Sequence, residues 1–147
     1  SLLVCLMFTG CSNSETNSTS RGLTDFAHIE EEYLATIDSL NWPDGITLPD
    51  KLEDEDTGAS FQVGYGETRA SYLWEYSWMK EWLDTYNTDP ERAEKALEEL
   101  EKAFDMPYMG IDRCDDATRN YLRENIDKAK LGDPSGFTES IRANYAN

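Results

Sequence analysis

The sequence predicts a small all-α protein: a bundle of about five helices around a central aromatic-rich helix, with a long irregular loop after the first helix. Two observations lead there. Apolar residues recur at helical spacing in five separate stretches, and proline, glycine or Asp-Pro signals punctuate them, with Ile46 and Leu48 alternating as if briefly extended in the loop.

The first helix is expected from Thr24 or Asp25 to Leu40, where Phe26, Ile29, Tyr33, Ile37 and Leu40 form one stripe. Asp25 and Glu30-Glu31-Glu32 suit the positive, N-terminal half of a helix, and Asn41-Trp42-Pro43 should stop it. Residues 41–66 read as irregular, with turn signals at Pro43-Asp44-Gly45 and Leu48-Pro49-Asp50. Trp42, Ile46, Leu48 and Phe61 are the side chains expected to pin that loop to the core. The central helix is expected over residues 67–87. Tyr72, Tyr76, Met79, Leu83 and Tyr86 make one stripe there, and Trp74, Trp78 and Trp82 make a second, so the apolar arc is wide enough for other helices to pack around it.

Asp89-Pro90 opens the next helix with a capping carboxylate and a proline at the first helical position; Ala93, Ala96, Leu97, Leu100 and Phe104 follow, and Pro107 ends it. Asp115 or Asp116 caps a helix carrying Tyr121, Leu122, Ile126 and Ala129, which Gly132 closes. Asp133-Pro134 repeats the start device for a last helix with Phe137, Ile141 and Tyr145. The two Asp-Pro starts are too little self-similarity for a helical repeat protein.

At the N-terminus, residues 1–10 are uncharged and mostly apolar, too short to span a bilayer and suited to the apolar core of a signal peptide. With no initial Met and no basic segment, that signal peptide is expected to be truncated at its start. It ends in Phe8-Thr9-Gly10-Cys11, and this tetrad resembles the lipobox of bacterial lipoproteins, departing from it at Phe8, where an aliphatic residue is usual. The resemblance covers about a dozen residues and implies cleavage before Cys11, a diacylglyceryl group on its sulfur, and an extracytoplasmic, lipid-anchored location in the cell membrane. Each buried methylene contributes about 0.8 kcal/mol, so two or three acyl chains anchor stably where one does not. Residues 11–23 are then the lipid attachment site and a disordered polar tether, and residues 24–147 the helical domain. Phe61 to Trp82 is similar to small uncharacterised exported proteins of actinobacteria, which brings no activity with it.

The composition limits the chemistry. Thirty acidic residues against 13 basic ones give a formal net charge of −17, which repels phosphate backbones and excludes nucleic acid as an expected partner. An envelope protein, a glycan or a cationic ligand fits better. The single histidine, His28, falls opposite the first apolar stripe, so a histidine-based triad or a common zinc site is not expected, and no cofactor is implied. Cys114 stands among Asp112, Asp115 and Asp116, which disfavour its thiolate. The acidic run Asp50 to Asp56 lacks the alternation and glycine of a calcium loop and reads as solvated. Gly64-Tyr65-Gly66 lacks the full glycine pattern of a nucleotide-binding turn.

Glu75 is the carboxylate that stands out, because it lies inside the aromatic arc near Trp78, Met79 and Trp82. A carboxyl placed against tryptophan has a raised pKa, and tryptophan faces stack on sugar rings. Trp74, Glu75, Trp78 and Trp82 are therefore the candidate ligand-binding residues, for a glycan or a cationic ligand. Glu75 as a general acid in carbohydrate cleavage is the enzymatic alternative. A non-enzymatic protein-interaction or envelope-organising domain is the reading that asks least of these residues.

Overall fold

A computed structural model describes residues 22–145. It contains five α-helices: α1 (Phe26–Ser39), α2 (Tyr65–Thr85), α3 (Pro90–Glu101), α4 (Asp116–Lys130) and α5 (Ser135–Asn144). The short strands β1 (Leu23–Thr24) and β2 (Phe61–Gln62) pair antiparallel, Leu23 with Gln62 and Thr24 with Phe61. The chain is thus all-α in class, as its periodicity predicts, with a small clasp that periodicity missed. Two-residue strands carry no alternation to detect. The clasp also takes Leu23 into the domain instead of the tether, and Val63 N–H donates to Gly22 C=O at 3.1 Å. Cys11 and the stretches expected to be signal segment and tether lie, up to residue 21, outside the described residues.

Helix α1 begins at Asp25, whose carboxylate accepts the His28 amide at 3.0 Å, and buries Ile29, Tyr33 and Ile37. At its other end the Trp42 indole donates to Ile37 C=O at 2.9 Å, reinforcing a terminal carbonyl that otherwise accepts only the long 3.4 Å bond from the Leu40 amide. The loop that follows is held differently from expectation. Trp42 and Phe61 pack on the core, but Leu48 is exposed, and the buried anchor is Leu52. The Leu52 amide donates to Glu30 Oε2 at 3.1 Å, so a side chain on α1 positions the loop. The acidic run is not wholly solvated either. Glu55 accepts from the Tyr65 hydroxyl at 2.6 Å and pairs with Arg69, which draws its carboxylate against α2.

Helix α2 starts two residues earlier than the sequence suggests, because its first turn is capped from another helix. Gly64, at φ +99°, offers no side chain, and Glu32 of α1 reaches across to accept from Gly64 N–H at 2.9 Å and Gly66 N–H at 3.0 Å. Gly66 is needed at the crossing: a Cβ there would lie 1.9 Å from Ile29 C=O. Beyond it α2 is enclosed on both sides. Ile29, Tyr33, Ile37, Leu52 and Ala70 form one apolar cluster with α1. Trp74, Trp78, Met79 and Trp82 enter a second with α3, α4 and α5, and Trp42 touches both.

Helix α3 follows the expected device, with Asp89 accepting the Arg92 amide at 3.2 Å and Pro90 first in the helix. It tightens into 3₁₀ turns at Lys102–Asp105 and Pro107–Met109, the second of which buries Tyr108. Asp115 caps α4 through the Thr118 amide at 2.8 Å, and Gly132 closes it at φ +81°. The second Asp-Pro start differs from the first. Pro134 already has helical torsions, and Asp133 accepts from Ser135, two residues on, at 2.9 Å. None of the helices among the described residues is long and apolar enough to cross a membrane.

Candidate functional site

A cleft of about 840 Å³ opens where α2, α4 and α5 meet. Helix α2 contributes Arg69, Tyr72 and Glu75, three residues apart and therefore on one face. Helix α4 contributes Thr118, Tyr121 and Asn125, α5 adds Ser140 and Asn144, and Tyr145 stands just after α5; Met109 comes from the second 3₁₀ turn.

Glu75 is the chemical centre of this cleft. It is only 6% exposed, and the Tyr108 hydroxyl donates to its Oε1 at 2.7 Å. Burial pushes its carboxyl up to about 7, against the downward pull of that hydrogen bond. Near neutral pH it is divided between acid and carboxylate, so it can donate or accept. Burial also raises the tyrosines around it, Tyr72, Tyr108 and Tyr145, with the Glu75 charge adding to each. They remain neutral phenols. The Tyr145 hydroxyl donates to Tyr72 C=O at 3.3 Å, tying the end of α5 to α2, and the Tyr72 and Tyr108 rings meet edge to face at 5.2 Å.

Asn125 gives the opposite wall an unmet donor. It is 2% exposed, and its amide Nδ2 has no hydrogen-bond partner. Gly136 makes room for it: a Cβ there would come within 2.6 Å of Asn125 Oδ1. A buried amide left unpaired costs about 1–3 kcal/mol.

The structure separates Glu75 from the tryptophans with which the sequence groups it. Trp74, Trp78 and Trp82 are 1%, 3% and 2% exposed, and none of them lines the Glu75 cleft. Trp82 stacks on Tyr86 at 4.4 Å and meets Phe137 edge-on at 5.5 Å, so neighbouring rings already occupy it. Trp78 donates to Asn41 C=O at 3.0 Å and borders a smaller depression with Trp42, beside the paired Glu81 and Arg92. In this arrangement the three indoles are engaged by protein neighbours, and of the four candidate residues Glu75 is the one that lines the cleft. Helices pack around α2 from both sides, and the aromatic arc faces protein instead of solvent.

The residues that take their place were visible only as core candidates. Tyr121 and Tyr145 read as members of apolar stripes, yet Tyr121 is 40% exposed at the cleft. Asn125 belongs to no apolar stripe, and its one signal in the sequence is a polar residue between Leu122 and Ile126 on the buried face of α4.

Cys114 does not line the cleft, and burial raises its thiol. His28 lies far along the chain on α1, 3.3 Å from Glu32. No group of three or more metal-ligating side chains is found among the described residues. No family model matches this chain, and neither a curated protein nor a solved structure does.

Proposed function

We propose that this chain is a non-enzymatic, membrane-anchored extracytoplasmic binding module, tethered through a lipid on Cys11 and holding a small polar ligand in the cleft between α2, α4 and α5. The observation that carries the reading is a buried carboxyl and a buried, unpartnered amide on the walls of one open cleft. Its volume of about 840 Å³ is that of a small-molecule site. Glycoside cleavage takes a pair of carboxyl groups, and the described lining supplies Glu75, so binding is the reading the cleft favours. Support for the anchor comes from Phe8-Thr9-Gly10-Cys11 and from the polar residues after it.

Two experiments test the two halves. In a bacterial host, the wild-type chain should partition with membranes and take up labelled palmitate, while Cys11→Ser should do neither. Retention of both by the variant overturns the anchor. For the cleft, thermal unfolding of the chain against neutral sugars, amino acids and alkylammonium salts should show stabilisation by one of these classes. Tyr121→Ala should reduce it without lowering the unliganded Tm, since that ring is already part exposed. No stabilisation by any class overturns the ligand reading and favours a protein partner for the acidic surface.

A further inference from the structure

Resting on the binding reading above, we propose that the cleft takes an organic ammonium ion, with its charged nitrogen held by the Glu75 carboxylate among Tyr72, Tyr121 and Tyr145. Glu75 sits at the cleft with its hydrogen bond coming from a neutral phenol, Tyr108, and not from a cation. Arg69 is the basic side chain of the lining, and Glu55 of the long loop already engages it. A buried carboxylate without a countercharge is the complement of a ligand cation, and tyrosine rings attract ammonium groups through their negative faces. The net charge of −17 draws small cations toward the surface and repels anions. An ammonium ligand that also carries a carbonyl or hydroxyl oxygen would satisfy the unpaired Asn125 amide on the facing wall.

Burial and the Tyr108 hydroxyl set the charge of Glu75, and the other polar groups of its surroundings come from several elements. Tyr72 and Arg69 share its helix, Tyr108 faces it from the 3₁₀ turn, and Tyr145 faces it from the end of α5. Cys114 and Asp115 lie beyond Tyr72 in the loop before α4, and α4 itself brings the phenol Tyr121 and the amide Asn125. A bound cation stabilises the carboxylate, so binding below neutrality must expel the Glu75 proton.

Titration calorimetry of the full chain with butylammonium and butyltrimethylammonium, in buffers of differing ionisation enthalpy, reads that proton directly. With Glu75 at about 7, about 0.9 proton should be released per ligand at pH 6 and about 0.1 at pH 8, and affinity should rise about tenfold between them. Glu75→Gln should abolish the proton release and the pH dependence and weaken binding at least tenfold. Tyr121→Ala, at an exposed ring, should weaken binding while keeping the release. Stronger binding of the trimethylated probe assigns the tyrosines the larger share, and of the primary one the carboxylate. Binding without proton release, or unaltered binding to Glu75→Gln, overturns the proposal. So does stabilisation by neutral sugars with none by either ammonium, which leaves the binding module standing; failure of every compound removes both.

Discussion

Replacing Glu75 by Gln should make the protein more stable at pH 8 while changing little at pH 5. The carboxyl is raised from an ordinary 4.5 to about 7 because burial penalises its charged form. In the folded state it therefore holds its proton where the unfolded chain has lost it. The stability this represents is complete below about pH 4.5, declines as pH rises, and is gone above about 7. At about 1.4 kcal/mol for each pH unit between those values, the ionised carboxylate costs about 3 kcal/mol. Gln keeps the shape and an oxygen for the Tyr108 hydroxyl, and carries no charge at any pH. Urea unfolding should place the two proteins within about 1 kcal/mol at pH 5 and separate them by about 3 kcal/mol at pH 8, about 1–2 M in midpoint, with Gln the more stable. Asp115 and Asp133, which their capping hydrogen bonds hold below the usual carboxylate range, stabilise in the opposite sense. They are common to both proteins and cancel in the difference. An offset equal at the two pH values, or a wild type that gains on Gln as pH rises, would refute the argument that burial governs this carboxyl.

Two further substitutions test the packing. Leu52→Ala should cost about 2–4 kcal/mol, since Leu52 is 4% exposed in the cluster with α1, whereas Leu48→Ala should stay within about 0.5 kcal/mol because that side chain is 37% exposed. Equal effects in chemical denaturation would mean that the long loop is not anchored as described. Gly66→Ala should lower stability by about 3 kcal/mol, or about 10 °C in Tm, although alanine is the better helix former. Its methyl group would meet Ile29 C=O at 1.9 Å, so a gain in Tm would show that the crossing of α1 and α2 is looser than this contact implies.

Three of the helices are legible because they carry their own punctuation. Asp25, Asp89 and Asp115 cap where their sequence context says they should, and Ala93, Ala96 and Leu100 bury as their spacing predicts. What escaped was set by contacts between elements. The early start of α2 depends on a carboxylate 32 residues away, and no local signal marks Glu32 as a cap for Gly64. Periodicity placed Trp74, Trp78 and Trp82 on one apolar arc with Glu75, but it cannot say which part of an arc meets protein and which meets a cleft. The answer required α4 and α5. Together with α3 they enclose the indoles, and they leave Glu75 at a cleft with Tyr121, Tyr145 and Asn125.

The reach of Glu32 has a consequence for how the protein opens. A helix capped by its own side chain can fray and re-form by itself, one end at a time. Helix α2 cannot, because its first amides, Gly64 and Gly66, are satisfied only while α1 lies against it. Glu30, two residues earlier on α1, also holds the Leu52 amide. Release of α1 thus strips the start of α2 and frees the loop at Leu52 in one event. Under native conditions the amide hydrogens of Gly64, Gly66 and Leu52 should exchange with solvent together, at the rate set by α1 detachment, and make that half of the molecule one cooperative unit.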